Sequence, residues 1–437
     1  MRARRSSRNR IMGALGLAAA LITPIAAQGQ QGSGQGQETV RESGDPVDLE
    51  ARARAIHDRV IVIDTHDDIS SNFASAASDP GEREGRQVTL PKMREGGLDV
   101  AFFVVYVGQT ERTPENYAEA KAEAMRKFEA IHRLTDEMYP EQIGFAWTPD
   151  DVERLHAEGK LAAAIGIENG YSIGTDLSLL EEYHARGARY FGLTHIGHND
   201  LADSSMPREN LGDVEEEHGG VSELGARAIA EANRLGLMVD VSHSSKKTTL
   251  DATRLSRAPI IASHSAVREL ADSPRNLTDE ELLAIRDNGG VVQIVAFDGY
   301  VKVPSDEKQA AIEELRRNAA FDSWATATPA QRDAYQEARA KIDDRYPGAT
   351  LSDFVDHIDY AVKLIGIDHV GISSDFDGGG GLIGWKDASE TFNVTRELVR
   401  RGYSEEEIRK LWGSNLLRVW RQVEAVARDL TTAARAG

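Results

Sequence analysis

Five short apolar runs in this 437-residue chain stop at residues able to ligate a metal. They end at His66 and Asp68 in VIDTHDDIS, Glu168 in IGIENG, His243 in MVDVSHSS, His264 in IIASHSA and Asp375 in GISSDFDGG. Taken singly, each reads as a hydrogen-bonded or ion-paired strand terminus. Taken together they form a donor set. His66 and Asp68 are two residues apart, so an extended strand turns both toward one face. Glu168 closes an apolar run, where burying a carboxylate without a cationic partner is costly. His243 and His264, each flanked by serines, make a zinc-type set with one carboxylate and leave a position open for water. His66, Asp68 and a shared Glu168 make a second set. Two cations ~3.5–4 Å apart, bridged by Glu168 and a hydroxide, suit attack on a carbonyl. Asp375 can take a proton from the attacking water and pass it to a leaving group. Asp377 competes for that role, and Asp375 is preferred because it lies nearer the strand end.

Ligands this far apart in sequence need a scaffold that gathers strand ends. The pattern predicts eight strands: Val60–Thr65, Val100–Val107, Ala162–Ile167, Tyr190–Thr194, Leu237–Ser242, Pro259–Ser263, Gly290–Phe297 and Val370–Ser374. Helical patterns lie between most of them, at Tyr117–Leu134, Leu177–Arg186, Ser222–Leu235, Lys246–Leu255, Asp279–Asn288 and Ser352–Ile365. Alternation of this kind gives the α/β class with a parallel sheet. A (β/α)8 TIM-like barrel is preferred to an open doubly wound sheet, because the ligands are spread over many strands rather than gathered at one switch point. A charged, helix-prone insertion, Val303–Gly348, follows the seventh strand and is read either as a lid or rim or as a surface excursion. Ser404 and Glu407 are spaced as a capping box for a helix running through Leu411.

The N-terminus carries Arg2, Arg4, Arg5, Arg8 and Arg10, an apolar stretch from Ile11 to about Ile22, and small residues at Ala26 and Ala27. This predicts a secretory signal peptide over residues 1–27, by the Sec route in preference to the twin-arginine route, and a periplasmic or extracellular mature protein. A Gln/Gly/Ser tract over 28–45 reads as a flexible linker, leaving one folded domain over 46–437. No later segment is apolar for long enough to span a membrane. The chain has no cysteine, which excludes a disulfide framework and leaves nitrogen and oxygen donors for any metal. A net charge of −20 argues against nucleic acid as a partner.

The motifs DTHDD, GIENG, LTHIGHND, DVSHSS, ASHSAVRELADSPRN and SSDFDG, taken in order and followed by LWGSNLLRVW, resemble the membrane (renal) dipeptidase family of zinc metallopeptidases. The resemblance runs from about Asp64 to Trp420. It implies a barrel holding two Zn2+ ions that hydrolyses dipeptides. His66 and Asp68 would hold one zinc, His243 and His264 the other, and Glu168 would bridge them, with Asp375 as acid/base. His195 would donate to the oxyanion of the tetrahedral intermediate, with His198 as its rival. Arg275 would clamp the substrate's C-terminal carboxylate, and Tyr300 would be a second contact to it.

The chain departs from animal members in lacking their cysteines and a C-terminal hydrophobic tail, which favours an exported bacterial form; a homodimer is the assembly the resemblance implies. Three other readings stand beside this one. The same centre could serve an N-acyl-amino-acid or lactam hydrolase, or the barrel could be a different metal-dependent amidohydrolase. From another class comes a catalytically silent periplasmic peptide-binding protein.

Overall fold

The computed structural model describes residues 46–436 apart from 320 and 322–327. The signal peptide and the linker expected over 1–45 lie outside the described residues. Nine strands form one parallel sheet: β1 Ile63–Asp68, β2 Val100–Tyr106, β3 Ile143–Phe145, β4 Leu161–Glu168, β5 Ala188–Gly192, β6 Met238–Asp240, β7 Ile261–Ser265, β8 Val291–Val295 and β9 Val370–Ser373. Eight of them follow in the order β1-β2-β4-β5-β6-β7-β8-β9. β1 meets β9 through a parallel bridge between Asp67 and Phe376, with the Asp68 N–H donating to the Phe376 carbonyl at 2.9 Å. The result is a nearly closed (β/α)8 barrel, as expected from the alternating pattern. Its strands are buried along almost their whole length, the rule for parallel sheets covered by helices.

The expected elements reappear with shifted ends. β1 begins later than predicted and runs on through Asp68, so His66 and Asp68 lie within the strand. β6 is shorter than predicted and stops at Asp240, three residues before His243. The short β3 was not anticipated. It pairs with the first residues of β4, and β5 takes over the β4 edge from Ile165 onward. Three residues with polar or turn-like neighbours carry too little periodicity to declare a strand.

Two irregularities fall where ligands sit. Between Asp64 and Asp67, β1 spans three residues against two on β2, and between Ala262 and Ser265, β7 does the same against β8. Each extra residue is a bulge that re-aims the side chains after it. In β1 the bulge lets Asp64 and Asp67, which a regular strand would set on opposite faces, both reach Ser374. Asp64 accepts from its N–H at 2.9 Å and Asp67 from its hydroxyl at 3.4 Å.

The strand starts are closed by apolar packing. The Ser404–Glu407 capping box forms as expected and opens the helix Glu405–Arg409, which continues through a wide turn at Lys410–Ser414 into Asn415–Ala436. Asn415 donates to the carbonyls of Ile367 and Val370, and Arg418 to those of Gly289 and Asp368, all at the entries to β8 and β9. This fixes the last helix across the barrel floor. Its Leu416, Val419, Trp420 and Val423 pack into one buried cluster with Ile63, Val100, Phe102 and Ile261 from the barrel interior. The insertion forms two helices, Asp306–Arg317 and Pro329–Arg345, tied to the barrel by Lys308, which pairs with Asp298 at 3.1 Å and Asp343 at 3.0 Å.

Trp420 is fully buried, with its ring 5.8 Å from that of Phe102. Trp420→Ala is expected to lower the unfolding free energy by about 3–5 kcal/mol, the usual cost of deleting a buried Trp. Denaturant unfolding checks this, and an unchanged midpoint would show that the floor does not hold the barrel together.

Candidate metal centre

The opposite end of the barrel is polar. Glu168, the last residue of β4 and paired in register with Tyr106 of β2, is buried with its carboxylate facing four imidazoles. Its Oε1 lies 3.1 Å from His243 Nε2, 3.4 Å from His264 Nε2 and 3.8 Å from His195 Nε2. Its Oε2 lies 3.5 Å from His66 Nε2, which is itself 3.6 Å from Asp68 Oδ2. The two carboxylate oxygens therefore face two different donor groups. Asp375 completes the set, with a carboxylate oxygen within 4.8 Å of donor atoms on His66 and Asp68.

The histidines are held so that Nε2 points inward. His66 Nδ1 meets the Tyr190 hydroxyl at 3.0 Å, and that hydroxyl donates to the Thr65 carbonyl, so His66 Nδ1 is the donor and Nε2 is left facing Glu168 and Asp68. Behind His264, Nδ1 meets Ser263 Oγ at 2.8 Å, and Ser263 donates to Asp240 Oδ2 at 2.7 Å. Asp240 also accepts the N–H groups of Ser242 and Ser263. This is the carboxylate-backed arrangement that orients metal-binding histidines. Tyr190 has room only because Gly166 has no side chain; a Cβ there would lie 1.8 Å from its ring.

These groups fit a cationic guest. His66 Nε2 is buried with no hydrogen-bond partner among the described residues. The Nε2 atoms of His243 and His264 stand 3.0 Å apart, a close approach that two bare lone pairs sustain only with a proton or cation between them. Burial by itself would lower the His66 pKa, but Glu168 and Asp68 push it well above the usual histidine value. Burial holds His243 and His264 well below that value, so they are neutral, the state in which imidazole binds metal. Burial would raise Glu168, yet His195 and His66 hold it well below the usual carboxylate range.

Backbone conformation at the rim is unusual. Asn169, His243, Asp375 and Asp377 all have positive φ, between 59° and 75°, a region non-glycine residues enter at some cost. Asn169 is tied to the Val107 carbonyl and to Asn199, whose amide also reaches the Leu193 carbonyl. These bonds join the loops that carry Glu168 and His195.

The structure separates the rival residues. His195 lies on the cavity wall with its ring 4.2 Å from that of His243, whereas His198 accepts from the Ser204 N–H through Nδ1 and reaches the Val214 carbonyl through Nε2. Asp377 is held by Arg86 at 2.9 Å and by the N–H groups of Gln87 and Val88. Asp375 has no side-chain hydrogen bond or ion pair among the described residues. Burial raises its carboxyl well above the usual range, with His66 opposing.

Asp68, Glu168, His195, His243, His264 and Asp375 open on a cavity of about 570 Å3, large enough for a small peptide. Tyr300 lines it. Arg275 is buried 5.4 Å from the Tyr300 ring centroid and donates to Ser265 Oγ and the His264 carbonyl. No described residue of the 303–348 insertion lines this cavity. Sequence reasoning missed Tyr190, Asp240 and Lys127, and read Gly378 only as part of a flexible loop, Gly378–Gly381, beside the site. Asp240 had a faint signal as a carboxylate inside an apolar run, and Lys127 had a better one, since it falls on the same helical face as Ala120, Ala124 and Ile131.

A family model described as membrane dipeptidase (peptidase family M19) matches residues 50–434. Among curated proteins, dipeptidase aclJ of Aspergillus oryzae is 33% identical over 349 residues, covering 79% of this chain and 72% of the relative. Among solved structures, the probable dipeptidase PvdM from Pseudomonas aeruginosa superposes with a TM-score of 0.79 at 37% identity, covering 88% of this chain and all of that one. A metallo peptidase from Rhodobacter sphaeroides, liganded with a phosphinate mimic of L-Ala-D-Ala, gives a TM-score of 0.62 at 25% identity over 83% of this chain and 99% of that one.

Gly378 presses on the centre: a Cβ there would lie 2.2 Å from Asp68 Oδ2 and 2.3 Å from Asp375 Oδ1. Gly378→Ala should displace both carboxylates and weaken metal binding by about 10–100-fold, the usual effect of disturbing a ligand's support. Metal titration alongside circular dichroism checks it, and full affinity with an intact fold would contradict the geometry.

Proposed function

This chain belongs to the membrane dipeptidase family, peptidase family M19, and from that premise we propose that it is a zinc-dependent hydrolase of the peptide bond in dipeptides. The observation that carries the reading is the Glu168 carboxylate, with His243 and His264 on one oxygen and His66 on the other. That division supports His66 and Asp68 as ligands of one zinc, His243 and His264 as ligands of a second, and Glu168 as the bridge. With no cysteine in the chain and two imidazoles beside one oxygen, the donors suit Zn2+. Bound there, two such cations would polarise the scissile carbonyl and make water a nucleophile at neutral pH.

The remaining steps fall to the chain's own groups. Asp375 is free of other partners among the described residues, and burial raises its affinity for a proton above that of an ordinary carboxylate. It takes the proton of the attacking water and delivers it to the leaving amine. His195, kept neutral by burial, donates from its ring to the oxygen that gains charge as the carbonyl becomes tetrahedral. Arg275 is a buried guanidinium whose described hydrogen bonds go only to a hydroxyl and a carbonyl, so it retains donors and an uncompensated charge for the substrate's C-terminal carboxylate. Tyr300, on the cavity wall above it, guides that carboxylate.

Elemental analysis of purified protein, paired with L,L- and L,D-dipeptide hydrolysis before and after chelation, tests this reading. About two zinc per chain and chelator-sensitive cleavage are expected. Bound metal with no dipeptide cleavage would move the assignment to N-acyl amino acids or lactams, and no metal at all would favour a silent binding protein. Asp375→Asn should keep its metal while kcat falls by ~100-fold or more; an unchanged kcat would remove Asp375 from proton transfer.

A further inference from the structure

Lys127 is an unexplained charge in the cavity wall. It sits on the helix Pro114–Arg133, opened by Thr113 accepting from the Asn116 N–H with Pro114 in the first turn. Ala120, Ala124 and Ile131 bury the same face, so the helix carries Lys127 inward instead of letting it reach solvent. The residue is 5% exposed and lines the same cavity as Glu168 and His195. Among the described residues its ammonium makes no hydrogen bond or ion pair. Its ammonium lies over the Tyr106 ring, 5.4 Å from Nζ to centroid, and that ring packs 4.6 Å from His195.

Burying an ammonium without a counter-charge is unfavourable, and burial lowers the Lys127 pKa accordingly. The nearby carboxylates are committed elsewhere. Asp68 and Glu168 belong to the donor set, and Glu123 accepts from Ser71 and Arg126. The other cation on this wall, Arg86, is neutralised by Asp377 at 2.9 Å. Lys127 is therefore an unpaired donor, among the described residues, facing the space where substrate binds.

Its position in the barrel says which part of the substrate it meets. Lys127 follows β2 and Arg275 follows β7, and in the order β1-β2-β4-β5-β6-β7-β8-β9 these strands are four places apart, on opposite sides of the ring. A dipeptide with its C-terminal carboxylate at Arg275 and its peptide bond over Glu168 extends its N-terminal residue toward Lys127. We propose that Lys127, over Tyr106, is a specificity-determining residue that receives a carboxylate on the side chain of the substrate's N-terminal residue, so that dipeptides beginning with Asp or Glu are preferred.

This inference rests on the dipeptidase reading and is tested separately from it with the zinc-loaded enzyme and the peptides Glu-Ala, Gln-Ala and Ala-Ala. The wild type should favour Glu-Ala over Gln-Ala by ~10- to 100-fold in kcat/KM, the range a charge-assisted hydrogen bond supplies. Lys127→Met, which keeps the length of the side chain and removes its charge, should bring that ratio to within ~3-fold of one. Cleavage of Ala-Ala with no preference for Glu over Gln in the wild type would leave the dipeptidase reading standing and overturn the role of Lys127. So would a preference that survives in Lys127→Met. Failure to cleave any of the three peptides would overturn both. The wild-type ratio decides the matter even if the variant does not fold.

Discussion

A carboxylate cannot be left alone in a protein interior, and the upper half of this barrel is organised around that constraint. Glu168 is buried at the end of an apolar strand, where desolvation opposes its charge, and it is kept ionised by imidazoles gathered from three other strand ends and a loop. Each imidazole must in turn present the correct nitrogen. Tyr190 sets His66 and the Ser263–Asp240 pair sets His264, and each of these supports is buried and hydrogen-bonded to backbone groups. Small residues make this layer possible: Gly166 admits the Tyr190 ring and Gly378 admits the Asp68 and Asp375 carboxylates.

Delivering ligands from separate strands onto one point also strains the regular lattice of the barrel. The bulges in β1 and β7 and the positive φ values at His243 and Asp375 all lie at the ligand-bearing end. The opposite end is closed by the apolar face of the last helix. Stability and chemistry are thus assigned to different ends of one barrel, a division this architecture permits because its floor can be packed without regard to the loops above.

The cavity combines an acidic donor set with few free cations. Arg86 is matched by Asp377, Lys127 lines the wall without a carboxylate partner among the described residues, and Arg275 is buried beside Tyr300 on the opposite side of the ring. The insertion over 303–348 takes no part in that lining, and its helices pack through the buried Lys308 instead.

Much of this was legible in the residues. Apolar runs with β-branched content located eight barrel strands, the 3.6-residue periodicity located the helices between them, and the position of His66, Asp68, Glu168, His243, His264 and Asp375 after such runs marked candidate ligands. These features are local, so a single sequence carries them. What it did not carry was pairing and direction. β3 is too short to show a period, the bulges exist only relative to a partner strand, and the inward aim of Lys127 depends on what covers its helix. His195 and His198, or Asp375 and Asp377, are equivalent in composition and almost so in spacing. Only the fold decided that His198 binds within its own loop and Asp377 is taken by Arg86, Gln87 and Val88, while His195 faces the cavity and Asp375 stays unpaired among the described residues. The sequence by itself determined which elements form and which residue types stand at their ends, because propensity and burial act on neighbours along the chain. Tertiary structure alone decided which of those residues meet, because a shared carboxylate and a common cavity are properties of strands brought together from distant parts of the chain.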